Sequence, residues 1–201
     1  MNCERLRPPL ACANNVPGVS GSFLVLSRIS PLLLRPLPAV KSTNLCVSVR
    51  NPLSHDETRE KIVFNPSAAL EQEDGDREPA RHFRLKWDGS KKWATIVALD
   101  EAGSRSALKK RKGKGKKNEA DVPRSVTPED GGEYVPVLAM ECRGLEPYAF
   151  HPLGNEFRVV SEGGVVFEED VDLSDGDWGD YDEENDAAVG VNDFETKIIS
   201  V

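Results

Sequence analysis

The stretch EYVPVLAMECRGLEP (Glu133–Pro147), followed by EFRVVSE (Glu156–Glu162) and GVVFEEDVDL (Gly164–Leu173), decides the fold class. Val135, Val137 and Ala139 alternate with their neighbours, and a period of two is what a strand with one buried face requires. Pro136 cannot donate to a ladder, so it marks an edge strand or a strand entry. Gly144 supplies the turn freedom that lets Arg143 and Glu146 project from the chain. A salt bridge between those two side chains, closing the turn, is the plain expectation; exposed, it adds little. Gly163-Gly164 joins two strand-like runs and is a hairpin signal. A last strand is expected over Asn192–Val201, with Phe194, Ile198 and Ile199 facing the core or an edge.

Upstream, TNLCVSVR (Thr43–Arg50), EKIVFN (Glu60–Asn65), RHFRLKW (Arg81–Trp87) and KKWATIVAL (Lys91–Leu99) are short, rich in Val, Ile, Phe and Trp, and separated by Pro, Gly and Asp clusters. Such runs at turn-sized intervals give a mostly antiparallel β unit. EQEDGDREP (Glu71–Pro79) has no apolar periodicity and reads as an exposed loop. Arg105–Lys117, RSALKKRKGKGKK, has eight cations in thirteen residues and no acid. That pattern admits a nuclear-import signal or a phosphate contact, but it lacks interleaved aromatics to stack on bases. A flexible loop between strands is the commoner origin of Gly-Lys repeats. A third reading follows from charge: residues 141–201 hold seventeen acids against Arg143, Arg158 and Lys197, so the basic loop can offset their self-repulsion.

Residues 1–55 contain one acid, Glu4, with six arginines and lysines and frequent serines and leucines. This composition reads as an import presequence or as an unstructured tail. Pro31, Pro36 and Pro38 limit any amphipathic helix there to short pieces. The apolar run Phe23–Leu34 is broken by Arg28 and Pro31, which excludes a membrane span. The resulting organisation is a disordered head over 1–40 and one β domain over 41–201, interrupted by a flexible basic linker at 101–132. The four cysteines, Cys3, Cys12, Cys46 and Cys142, do not form a disulfide framework. Cys46 and Cys142 sit in apolar runs and read as buried thiols.

In their order and spacing, ECRGLEP (Glu141–Pro147), SEGGVVFEEDVDLSDGDWGDYDEEND (Ser161–Asp186) and AVGV (Ala188–Val191) resemble the CXXC-motif-containing zinc-binding protein family. The resemblance implies a compact, two-halved antiparallel β domain, barrel- or sandwich-like, whose first half carries two CxxC knuckles and whose second half carries the quoted blocks. It also implies a cytoplasmic protein, with mitochondria the alternative if residues 1–40 are a presequence. The knuckles align with VSVRNPLSHDETREKIVF (Val47–Phe64) and HFRLKWDGSKKWATIVAL (His82–Leu99), each strand, turn, strand. The first turn reads Asn51-Pro52-Leu53-Ser54; in the second, Trp87 and Ser90 stand where sulfurs belong. None of these side chains replaces a thiolate on zinc.

No CxxC occurs anywhere in the chain. A rival zinc site from Cys46, Cys142, His55, His82 and His151 has no recognisable ligand spacing, and His55-Asp56-Glu57 reads as a solvated turn. No metal ligand and no cofactor is therefore assigned. Trp87, Trp93 and Phe64 are expected to add apolar contacts near the vacated turns. Phosphate loops, nucleophile elbows and ordered catalytic triads are all missing, so no catalytic residue and no small-molecule substrate is assigned. In GDWGDYDEEND, Trp178 is expected to plug the end of a barrel. With Asp177, Asp180, Tyr181 and Asp182 it also forms an aromatic and acidic loop suited to a basic partner. This loop lacks the residue order of a calcium-binding loop. The expected function is that of a non-enzymatic protein acting through a protein partner, by way of Arg143, Gly144 and Glu146 or the Asp177–Asp182 loop. Zinc held by other ligands and nucleic-acid binding through the basic loop are the alternatives.

Overall fold

The computed structural model describes residues 20–28, 33–36, 43–70, 81–111, 122–130, 132–154 and 156–200. Its strands are β1 (Ser20–Arg28), β2 (Leu33–Pro36), β3 (Leu45–Asn51), β4 (Ser54–Phe64), β5 (Phe83–Leu85), β6 (Ala94–Leu99), β7 (Val135–Arg143), β8 (Glu146–His151), β9 (Phe157–Val160), β10 (Val166–Phe167), β11 (Trp178–Asp182), β12 (Ala187–Val191) and β13 (Glu195–Ser200); the one α-helix among the described residues, α1, spans Glu101–Arg111, and a 3-10 turn spans Pro128–Asp130. Every pairing is antiparallel. A five-stranded sheet runs β13-β1-β7-β6-β5, three-stranded sheets run β4-β3-β8 and β10-β9-β2, and β11-β12 is a separate hairpin. The domain is mostly β, as its alternating runs require, and among the described residues no sheet closes into a barrel.

β7 explains why the sheet stays open to a proline. Leu26 pairs with Pro136 and Val25 with Leu138, so Val137 is the extra residue of a bulge placed where the ladder lacks a donor. The β6 pairing begins only at Ala139, so Pro136 lies at the strand entry, with a partner strand on one side. Val135–Met140 are buried throughout rather than alternately. A strand covered on both faces has no polar side to show.

Phe23, Val25, Val47, Val49, Ile96, Met140, Leu145 and Val159 belong to one continuous core. Phe150, Phe157 and Phe194 carry it between sheets through edge-on ring pairs at 6.3 and 5.2 Å. Cys46 and Cys142 are free and buried, as their apolar surroundings indicate. Burial pushes the Cys142 thiol far above the usual range.

Three expectations from sequence are corrected. The head is not unstructured throughout: β1 is an inner strand between β7 and β13, and β2 pairs with β9. The basic run does not begin as a loop, because Arg105–Arg111 lie in α1. Asp100 starts that helix, its Oδ1 accepting from Gly103 N at 2.7 Å, and Glu101 pairs with Arg105 one turn on. Residues 112–120, like the polar stretch 71–80, lie outside the described residues. Finally, GDWGDYDEEND is not one long loop, since β11 and β12 form a hairpin around its tip.

Candidate functional site

Three turns meet at one end of the five-stranded sheet and line a cleft of about 720 Å³. The first is the β3–β4 connection, where Asn51 pairs with Ser54 across Pro52-Leu53. Asn51 Oδ1 accepts from Leu53 N at 2.9 Å, the short-range bond that lets asparagine imitate a backbone turn. The second follows β5: Trp87 O accepts from Ser90 N at 3.0 Å, and Gly89 supplies the positive φ of 72°. The third is the β7–β8 turn at Gly144, whose φ of 67° suits glycine. A Cβ there would lie 3.4 Å from that of Ala94.

Glu57 ties the first two turns together. Its Oε2 accepts from Asn51 Nδ2 at 2.7 Å, and its Oε1 accepts from Asp88 N at 2.9 Å. Those two bonds, the Asn51 amide first, hold the carboxyl below its ordinary range. Trp87 ties the second turn to the third: its Nε1 donates to Gly144 O at 2.7 Å, and the residue is 5% exposed. The Arg59 guanidinium stands over its ring at 5.5 Å. Arg50 meets Glu146 across β3 and β8 with two bonds of 3.0 and 2.9 Å, fixing the strand that leads into the first turn.

Sequence reasoning found both turns and the indole, but it missed Glu57. His55, Asp56 and Glu57 lie in β4, not in a solvated turn. Nothing local marks Glu57, because its second partner is thirty-one positions away. Trp93 is 49% exposed rather than packed, whereas Phe64 does pack, its ring 6.3 Å from that of Phe83. Glu146 pairs with Arg50, and Arg143 reaches Glu141 at 3.3 Å, so the expected Arg143–Glu146 bridge is replaced by a cross-strand one.

The Asp177–Asp182 segment makes a separate set of contacts. Trp178 does not plug a barrel: it is half-buried on β11, its Nε1 donates to Asp170 O at 3.1 Å, and its ring meets Phe167 edge-on at 5.6 Å. Asp177 Oδ1 accepts from Asp193 N, and Asp180 Oδ1 from Tyr181 N. Tyr181 is half-exposed, with its hydroxyl on Asp186.

Asp182 is buried and fixes two turns at once. It accepts from Ser161 Oγ at 2.6 Å and from Glu184 N, Asn185 N and Asn185 Nδ2. A Cβ at Gly163 would displace the Asn185 amide that donates to Asp182. The Ser161 bond leads in lowering the Asp182 carboxyl below its ordinary range. A carboxyl lowered on folding stabilises above its unfolded value, and the contribution disappears as pH falls through the folded one. Acidification below the usual carboxylate range is therefore expected to make the β11–β12 hairpin sensitive to an acid-active protease before the core unfolds. In Asp182→Asn that sensitivity should already be present at neutral pH, and limited proteolysis across a pH series reads both.

The residues at the turns do not fit a thiolate zinc site. Asn51 and Trp87 already direct their nitrogens to Glu57 and Gly144, and Ser90 Oγ donates to Lys92 O at 3.0 Å. Zinc knuckles need four deprotonated sulfurs or imidazoles with free lone pairs. Among the described residues, no three His, Cys, Asp or Glu side chains converge on a point that could hold a metal. His151 Nε2 lies 2.7 Å from Ser48 Oγ, and His82 Nδ1 accepts from Ala98 N.

Strand-turn-strand units meeting at one end of antiparallel sheets define the class: a small, mostly β domain. The chain belongs to the family described as CXXC motif containing zinc binding protein, eukaryotic, whose model matches residues 34–199. It is 33% identical over 149 residues to the CXXC motif containing zinc binding protein of Rattus norvegicus, a match covering 65% of this chain and 92% of that one. The UPF0587 protein CG4646 of Drosophila melanogaster is 43% identical over 76 residues, covering 37% and 45% of the two chains. Among solved structures, a hypothetical protein from Plasmodium falciparum superposes with a TM-score of 0.67 at 25% identity, over 89% of this chain and 99% of its own. C1orf123 gives 0.69 at 18% identity, over 90% and 100%, which is a likeness of fold.

Proposed function

We propose that this chain is a non-catalytic binding module of its family, with degenerate knuckles, that acts by engaging a protein partner. The observation carrying this reading is the Glu57 carboxylate, held between Asn51 of one turn and Asp88 of the other. It occupies the role that a metal cross-link has in a paired-knuckle fold. A structural zinc supplies about 10–16 kcal/mol to a small knuckle domain, far more than two hydrogen bonds replace. The remainder falls to the buried Trp87 indole and to the core already shared by all the sheets.

The test is the metal content and chelator response of the purified full chain. Zinc is expected well below one equivalent after desalting, with a melting temperature unchanged by excess chelator. Stoichiometric zinc whose removal melts the protein overturns the reading and favours metal held by non-standard ligands.

A further inference from the structure

The second turn carries a charge pattern opposite to that of the chain. Arg81, Arg84, Lys86, Lys91 and Lys92 face a single acid, Asp88, within thirteen residues, in a protein of formal net charge −8. These cations gather around a large apolar surface. Trp93 is 49% exposed, with the Arg84 guanidinium 4.9 Å and the Lys86 ammonium 5.6 Å from its ring centroid. Across the cleft the tip of the first turn presents Leu53, 70% exposed, beside Pro52. Lys91 and Lys92 are exposed, line the same cleft and make no ion pair among the described residues.

The acids nearby do not neutralise this rim. Both Glu57 oxygens are engaged by Asn51 and Asp88 N, Glu141 is reached by Arg143, and Asp88 alone stands in the lining as an exposed carboxylate.

We propose that this cleft binds an acidic peptide segment of a partner protein, with an apolar side chain seated between Leu53 and Trp93 and carboxylates meeting Lys91 and Lys92. The occupant follows from charge and shape together. A cleft of this volume is in the range that accepts a few side chains, and lysines at its rim steer and orient an anionic segment. A nucleic acid fits less well. Its backbone needs cations along a track with successive stacking platforms, whereas here the cations surround one exposed indole.

The proposal rests on the reading of the chain as a protein-binding module. The two fail differently: zinc content and chelator melting judge the metal-free module, and peptide binding judges the cleft.

The experiment is fluorescence anisotropy with the full chain and a labelled peptide of alternating Glu and Gly around a central Phe. Its twin with Gln for every Glu and a short labelled oligouridylate serve as comparisons. The acidic peptide is expected to bind, to weaken with added salt, and to exceed its Gln twin by about tenfold or more. Lys91→Glu with Lys92→Glu should lower its affinity by about tenfold, and Trp93→Ala by about threefold to tenfold. All three side chains lie at the surface, so melting temperatures should stay near that of the parent. Lys91→Gln with Lys92→Gln provides a milder pair should the reversals disturb folding. Equal binding of the Gln twin, indifference to the lysine changes, tighter binding of the oligouridylate, or no binding of the acidic peptide by the folded chain would each overturn the proposal.

Discussion

A chain beginning at residue 41 is expected not to reach a stable fold. Truncation there removes β1, which lies between β7 and β13 and pairs with both. It removes Phe23, Leu24 and Val25, which are 3, 2 and 0% exposed. Burying side chains of this size contributes about 1.5–3 kcal/mol each, and a domain of this kind has about 5–15 kcal/mol in total. The three residues alone are therefore comparable to the whole margin, before the unpaired ladders of β7 and β13 are counted. The same cut takes β2 from the edge of β9. Circular dichroism and proteolysis of residues 41–201 beside the full chain read the outcome. A truncated chain that melts cooperatively near the parent temperature would show that β7 and β13 can pair without β1. The expectation also bears on the presequence reading: a cleavage compatible with this sheet falls before Ser20, not near residue 40.

Why β1 was hidden while its neighbours were legible is a matter of where each strand's burial comes from. β3 with β4 and β5 with β6 are local antiparallel pairs around Asn-Pro and Asp-Gly turns, so alternation and turn chemistry both lie within a few residues. β1 gains its burial from β7 and β13, more than a hundred residues on. In sequence it shows only an apolar run broken by Arg28 and Pro31, in acid-poor surroundings.

The β11–β12 hairpin was obscured for another reason. Burial along β11 does not alternate, with Trp178 half-buried, Gly179, Asp180 and Tyr181 exposed and Asp182 buried, and Asp182 is buried because Ser161 and Asn185 satisfy it. Helix α1 did carry a readable start, an Asp followed by Glu101, which the run of lysines behind it outweighed. At the cleft, the turns and Trp87 were visible as residue types at expected positions. The Glu57 link was not, because it depends on β4 and the second turn arriving at one place.

Trp87→Ala is expected to be the most damaging single substitution at that cleft. The indole is 5% exposed within the core, its Nε1 donates to Gly144 O at 2.7 Å, and Arg59 covers its face. Removing a buried aromatic of this size costs about 3–5 kcal/mol, which in a chain of this length lowers the melting temperature by about 10 °C or more. Trp87→Phe separates the two parts of that loss. It keeps most of the ring packing but leaves the Gly144 carbonyl without its donor, a change of about 1 kcal/mol, so its melting temperature should fall between parent and alanine variant. The pair of variants also tests how the turns are joined, because neither removes a Glu57 contact. If Trp87→Ala melted like the parent, the indole would not be a structural tie and the metal-free reading would lose its main energetic support. If both variants fell to the same temperature, the hydrogen bond to Gly144, rather than the buried ring area, would be what joins the second turn to the third.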